Sequence, residues 1–120
     1  MRRLAWSYLG RVEYDEAVRL QLEVRDRVQN DESPDTLLLL EHPPVFTLGR
    51  SANPEDVLLP TSVLDQRGIS VAECDRGGLA TYHGPGQLVG YPIIDLNPDR
   101  RDVRRYVRDL QAVLIAVLAH

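Results

Sequence analysis

Twelve residues near the middle of the chain, RGGLATYHGPGQ from Arg76 to Gln87, hold four glycines and a proline between two stretches that read as strands. Each glycine gives up about 0.5–1 kcal/mol of backbone entropy on folding. A sequence that concentrates them is either building a long hairpin loop or letting bare backbone approach something closely. The stretch that follows, LVGYPIIDL (88–96), reads as a strand in which Gly90 and Pro92 mark a bulge or a sheet edge. No helix follows the glycines, so the segment differs from the dinucleotide fingerprint, where phosphate meets a helix N-terminus. Composition leaves both the hairpin and the binding loop open. For the second, Arg76 and His83 are polar anchors among small residues, suited to a carbonyl, carboxylate or phosphate, and Thr81 and Tyr82 add hydroxyls.

The rest of the chain supplies strands and two helices. LAWSYL (4–9) reads as a short strand. From about Tyr14 to Gln29, the residues Ala17, Leu20, Val24 and Val28 recur at helical spacing, and Asp15 and Glu16 suit a first turn. NDESPD (30–35) is a connector, TLLLLEH (36–42) a buried strand, and PPVFTLGR (43–50) a second extended piece, since paired prolines do not sit inside a helix. SANPEDVLLP (51–60) reads as a loop with one helical turn, and ISVAEC (69–74) as a strand. From about Asp102, the residues Val103, Tyr106, Val107, Leu110, Leu114 and Val117 share one side of a helical wheel, opposite Arg101, Arg104, Arg105 and Arg108. That pattern is still apolar at His120 and carries no stop signal, which predicts an incomplete domain. The expected fold class is α+β, a mixed sheet flanked by helices.

Charge and residue types narrow the chemistry. A formal charge of −4 weighs against a general nucleic-acid partner. All 14 basic residues are arginine, so residues 1–120 contain no phosphate-loop lysine, Schiff-base lysine or lysine general base. One cysteine, Cys74, excludes an internal disulfide and a thiolate zinc cluster. His42, His83 and His120 lie far apart without ligand spacing, and no metal is expected. No apolar run approaches the roughly 20 residues of a membrane span, so no membrane partner is expected and a cytoplasmic location is the default. Cys74 reads as a small buried thiol or as half of a thiol–imidazole pair with His83. His42, in EHPP, reads as a packing residue or one that orients a loop by hydrogen bonding. The arginine face of the last helix is a solvated surface or a docking face for an acidic partner.

The run RGGLATYHGPGQLVGYPIIDL resembles the signature of the bacterial lipoyl(octanoyl) transferase family. LLLLEHPPVFTLGRSANPEDVL is similar to that family's upstream block, and YDEAVRLQ to its first helix. Leu79 and Ala80 fill two tolerant positions, where the family more often carries a polar residue and valine. The resemblance implies a biotin/lipoate protein ligase-like catalytic fold, with residues 1–120 as the amino-terminal part of a single octanoyltransferase-type domain. It implies an acyltransferase of lipoate biosynthesis that needs neither ATP nor another cofactor. Its partners would be octanoyl acyl carrier protein and the lipoyl domains of 2-oxoacid dehydrogenases and of the glycine cleavage H protein. Arg76, Gly77, Gly78, Leu79, Ala80, Thr81, Tyr82 and His83 match the stretch that lines the acyl pocket, and Gly84, Pro85, Gly86 and Gln87 the loop that shapes it. The family's reactive cysteine and its activating lysine lie downstream of the helix that begins near Asp102. The resemblance therefore places no catalytic residue in this chain and implies no transferase activity from it alone. Two other readings stay open: a noncatalytic half that binds acyl groups or carrier protein, and a lipoate or biotin protein ligase, which would use ATP and usually a lysine near the adenylate.

Overall fold

The structure, a computed structural model, describes residues 2–120. Its first unit is strand β1 (Leu4–Arg11), helix α1 (Tyr14–Gln29) and strand β2 (Asp35–Glu41). The two strands run parallel, which requires a crossover of helical length, and α1 supplies it. The helix occupies the residues its apolar period predicts. It ends in a Schellman-type turn: the Glu32 N–H donates to the Arg27 carbonyl at 2.9 Å, and Asp31 adopts φ 55°. Strand β6 (Val89–Ile93) pairs antiparallel with the other side of β2, giving a sheet of order β1-β2-β6 with β6 at an edge, as its proline suggests.

TLLLLEH was expected to be a buried strand, but only alternate residues of β2 are buried. Thr36, Leu38 and Leu40 face α1, and a core forms from Ala17, Leu40 and Val89 with Val12 and Tyr91 beside them. Leu37 and Leu39 face the other way, in register with Trp6 and Tyr8 of β1 and with Pro92 and Gly90 of β6. Helix α1 covers one side of this sheet, so the strand alternates. At the strand ends, Asp35 accepts from Arg2 at 2.8 Å and from the Asp95 N–H at 2.9 Å, tying β1, β2 and β6 together.

A second three-stranded sheet has β3 (Val45–Leu48) at its centre, β4 (Ser70–Glu73) parallel to it and β5 (Ala80–His83) antiparallel. The β3–β4 crossover contains a 3-10 turn at Pro54–Asp56 and a short helix, α2 (Thr61–Gln66), that the sequence pattern does not announce. The glycine segment, read as one loop, contains β5. Helix α3 (Val103–Leu118) starts where expected, with the Asp102 carboxylate accepting from the Arg105 N–H at 3.1 Å. It touches the body sparingly: Tyr106 and Leu110 are half-buried and its other residues are exposed. The architecture is α+β, with two mixed sheets and flanking helices.

Candidate functional site

Residues 74–79 fold back over the end of β3, and Arg76 holds them there. Its Nη2 donates to the Thr47 carbonyl (3.1 Å), the Thr47 hydroxyl (3.0 Å) and the Leu79 carbonyl (2.9 Å), while Nη1 donates to the Gly77 carbonyl (3.0 Å). Backbone bonds close the same seam, from Gly49 N–H to Leu79, Arg50 N–H to Arg76 and Ser51 N–H to Gly78. A Cβ on Gly49 would lie 2.5 Å from the Gly78 carbonyl oxygen and 2.9 Å from its carbon, so only glycine permits this approach. Gly78 itself sits at φ +96°, where a side chain would be strained. The result is a surface made of main chain, flanked by Leu79 (61% exposed) and Tyr82 (43% exposed), whose ring rests on Phe46 at 5.1 Å.

Behind this surface lies a layer of titratable side chains: Tyr14 on α1, His83 on β5, Tyr91 on β6, and His42 and Cys74 just after β2 and β4. His42 is fully buried, an unusual place for an imidazole, and both its nitrogens are engaged: Nδ1 with the Val12 carbonyl at 2.8 Å and Nε2 with the Tyr91 hydroxyl at 2.7 Å. A carbonyl only accepts, so Nδ1 carries the proton, and in the neutral ring Nε2 accepts from Tyr91. Burial, reinforced by nearby His83, lowers the His42 pKa and favours that neutral ring. The rings of Tyr14 and His83 lie 5.4 Å and 5.5 Å from that of His42. His83 Nδ1 meets Gln87 Oε1 at 2.7 Å, and Gln87 Nε2 donates to the Tyr82 carbonyl at 3.3 Å. The Tyr14 hydroxyl is pushed up to about 12, first by burial and then by the nearby Cys74 thiol. The thiol in turn donates to the Leu48 carbonyl at 3.4 Å.

The sequence-predicted residues therefore take different roles. Arg76, expected as an anchor for a ligand, has both terminal guanidinium nitrogens occupied by the protein's own oxygens. His83 keeps Nε2, an acceptor in the Nδ1-protonated ring, and Cys74 sits in a hydrogen-bonded, half-buried niche. Gly77, Gly78, Leu79, Thr81 and Tyr82 are exposed, with Ala80 half-buried. The surface they form is open on its outer side, and the cavities beside α2, α3 and Arg2 lie elsewhere. Gly84 to Gln87 turn the chain into β6, and the Gly86 N–H donates to the Glu41 carboxylate, which this bond and the Tyr8 hydroxyl hold below its usual pKa. Sequence reasoning did not single out Gly49, Thr47, Tyr14 or Tyr91. Gly49 carried a signal, standing beside Arg50 at a strand end; nothing in the sequence marks Thr47 or the two tyrosines.

The sequence model of the lipoyl protein ligase A/B catalytic domain matches residues 13–120. The octanoyltransferase of Myxococcus xanthus is 52% identical over 111 residues, covering 92% of this chain and 31% of that protein. That of Chloroflexus aurantiacus is 48% identical over 119 residues, covering 99% and 53%. The chain thus spans between about a third and a half of the length of these curated relatives. Among solved structures, protein Ta0514 of T. acidophilum with bound lipoic acid superposes with TM-score 0.55 at 18% identity, over 89% of this chain and 42% of that one. P. falciparum LipL1 in complex with lipoate gives 0.51 at 16% identity, over 73% and 29%. At such identities the likeness shows the fold alone.

Proposed function

The chain belongs to the lipoyl protein ligase A/B catalytic domain family, and from that premise we propose that it forms the acyl-binding part of an octanoyl transfer enzyme. The octanoyl donor is acyl carrier protein and the acceptor is the target lysine of a lipoyl domain, on a 2-oxoacid dehydrogenase or the glycine cleavage H protein. The reaction proceeds in the cytoplasm without ATP. The observation that carries this reading is the seam between Gly49 and Gly78, where backbone meets backbone and a Cβ on Gly49 would find no room. A slender alkyl tail needs such a side-chain-poor surface, with Leu79, Ala80 and Tyr82 offering apolar contact and Thr81 and His83 lying towards its polar end. The surface is open, so the opposite wall comes from polypeptide equivalent to the remaining length of the relatives.

The nucleophile comes from there as well. The Cys74 proton rests on the Leu48 carbonyl, and no lysine stands in residues 1–120 to favour a thiolate. The test mixes this chain with the portion of the Chloroflexus aurantiacus octanoyltransferase that it does not match, and follows octanoyl transfer to a lipoyl domain by mass spectrometry. Transfer is expected only with both pieces, and Gly77→Leu should reduce it at least tenfold. A Cβ at Gly77 meets nothing within 4 Å and its φ is unstrained, so stability should change by less than about 0.5 kcal/mol. An octanoyl thioester on Cys74, or transfer by the chain alone, would reject this assignment.

A further inference from the structure

The chain passes between its two sheets twice, at residues 42–44 after β2 and at residues 84–88 before β6. The second passage opens with a turn over residues 84–87. Pro85 stands at its second position and Gly86, at φ +88°, at its third, and the Gln87 N–H donates to the Gly84 carbonyl at 3.1 Å, which makes the turn type II. The other bonds of Gln87 stay within the segment, since its side chain joins His83 Nδ1 and the Tyr82 carbonyl. Among the described residues, 85–87 reach the rest of the fold through one hydrogen bond, from the Gly86 N–H to Glu41 Oε1. Glu41 is the last residue of β2, directly before the first passage. Its other oxygen, Oε2, accepts from the Tyr8 hydroxyl of β1 at 3.0 Å, and Arg11 is in register with it. A single carboxylate at the start of one passage therefore holds the turn of the other.

We propose that Glu41 is a positioning residue: its carboxylate staples the two inter-sheet passages together and so holds the glycine turn, and with it the contact of Gln87 to His83, against the first sheet. His83 is fixed in β5 by its pairing with Val45, and Val89 in β6 by its pairing with Leu40. Gln87 belongs to neither ladder, so its reach to His83 depends on where the turn sits. The turn's own hydrogen bond leaves the Gly86 N–H unused, and an ionised acceptor is the stronger kind to offer it. Gly86 first and then Tyr8 hold the Glu41 carboxyl below its usual pKa; burial opposes them and Arg11 adds to the lowering. The staple is therefore in place above the ordinary glutamate pKa and is lost as pH falls through the lowered one. Its bearing on acyl transfer rests on the acyl-binding reading above, in which this turn sets how the side-chain-poor surface of the second sheet faces residues of the first.

NMR on the 120-residue chain tests the staple without any ligand. In Glu41→Ala the Gly86 amide should exchange about three- to tenfold faster, the loss of one hydrogen bond, while amides of α1 keep their rates. The His83 ring and the Gln87 side-chain amide signals should shift in the same variant. Glu41→Gln keeps an oxygen for Gly86 and offers its amide to the Tyr8 oxygen, so it should restore all three signals. In the native chain the Gly86 amide shift should titrate below the ordinary glutamate range, and in Glu41→Gln that titration should vanish. Gly86 exchange unchanged in Glu41→Ala would overturn the proposal, as would a Glu41→Gln chain that behaves like Glu41→Ala. His83 and Gln87 signals that stay put once Gly86 is freed would overturn it too. Octanoyl transfer by the chain mixed with the unmatched portion of the Chloroflexus aurantiacus octanoyltransferase should fall in Glu41→Ala and recover in Glu41→Gln; transfer unchanged in Glu41→Ala would reject the staple's part in the site. No transfer with the native chain, while Glu41 still protects the Gly86 amide, would reject the acyl-binding reading and leave the staple standing.

Discussion

Arg76 shows how one side chain can organise a site without touching what the site holds. Its planar fork reaches three carbonyls and a hydroxyl on two segments at once, a geometry a lysine ammonium cannot reproduce. Arg76→Lys should therefore destabilise the chain by about 1–3 kcal/mol, the scale of hydrogen bonds to a charged group. The loss should be local: hydrogen exchange at the Gly49, Arg50 and Ser51 amides, which bond to Leu79, Arg76 and Gly78, should accelerate before exchange in α1 does. Uniform acceleration, or none, would show that the backbone seam holds without the guanidinium. This role was not readable from sequence. An arginine among small residues suits a ligand anchor and a loop clamp equally, and the difference lies in where the Thr47 oxygens fall, 29 residues away. His42 was more legible, since a histidine followed by two prolines has a local reason to orient backbone. Tyr91 was not, because an aromatic in an alternating strand looks like core until its hydroxyl is seen on His42.

Among the secondary-structure elements, α1 and α3 were legible because sixteen residues give a 3.6-residue period room to repeat. Helix α2 spans six residues, too few for a period, although Pro60 before it and Gly68 after it, at φ +67°, punctuate its ends. Strand β5 was hidden for a different reason: its pairing with β3 is set by tertiary register, Phe46 opposite Tyr82 and Thr47 opposite Thr81, while the glycines around it read as loop. The end of α1 carries a mismatch that can be measured. Asp31 occupies the left-handed position of the Schellman turn at φ 55°, where glycine is the usual residue. Asp31→Gly should raise the chain's stability by about 0.3–1 kcal/mol, the relief of left-handed strain exceeding the extra entropy of an unfolded glycine. Urea denaturation with an unchanged slope and a higher midpoint would bear this out. A lower midpoint would mean that the aspartate does something at that turn beyond filling it.

At the scale of the molecule, the arrangement is more open than its length requires. The radius of gyration is 16.2 Å, against about 14 Å for a compact domain of this size. Two apolar surfaces lie uncovered among the described residues: the outer face of the β1-β2-β6 sheet, and the stripe on α3 that includes Leu114. They differ in what they offer a partner. The sheet face is broad, with Leu4, Trp6 and Tyr8 on β1 beside Leu37 and Leu39, and it is flattened at Gly90. Its rim, β1, is also an edge strand with backbone groups available for pairing. The stripe on α3 is narrow and its helix satisfies its own backbone. Self-association at tens of micromolar should therefore run through the sheet face. Trp6, 66% exposed and the single tryptophan, reports on it directly. In sedimentation at rising concentration, Trp6→Thr should keep the chain monomeric, while Leu114→Gln should leave its association unchanged. Acrylamide should quench Trp6 readily in dilute chain and less as concentration rises. If Leu114→Gln instead abolished association and Trp6 stayed equally quenchable throughout, α3 would be the surface that needs covering, and the sheet face would be stable in water as it stands.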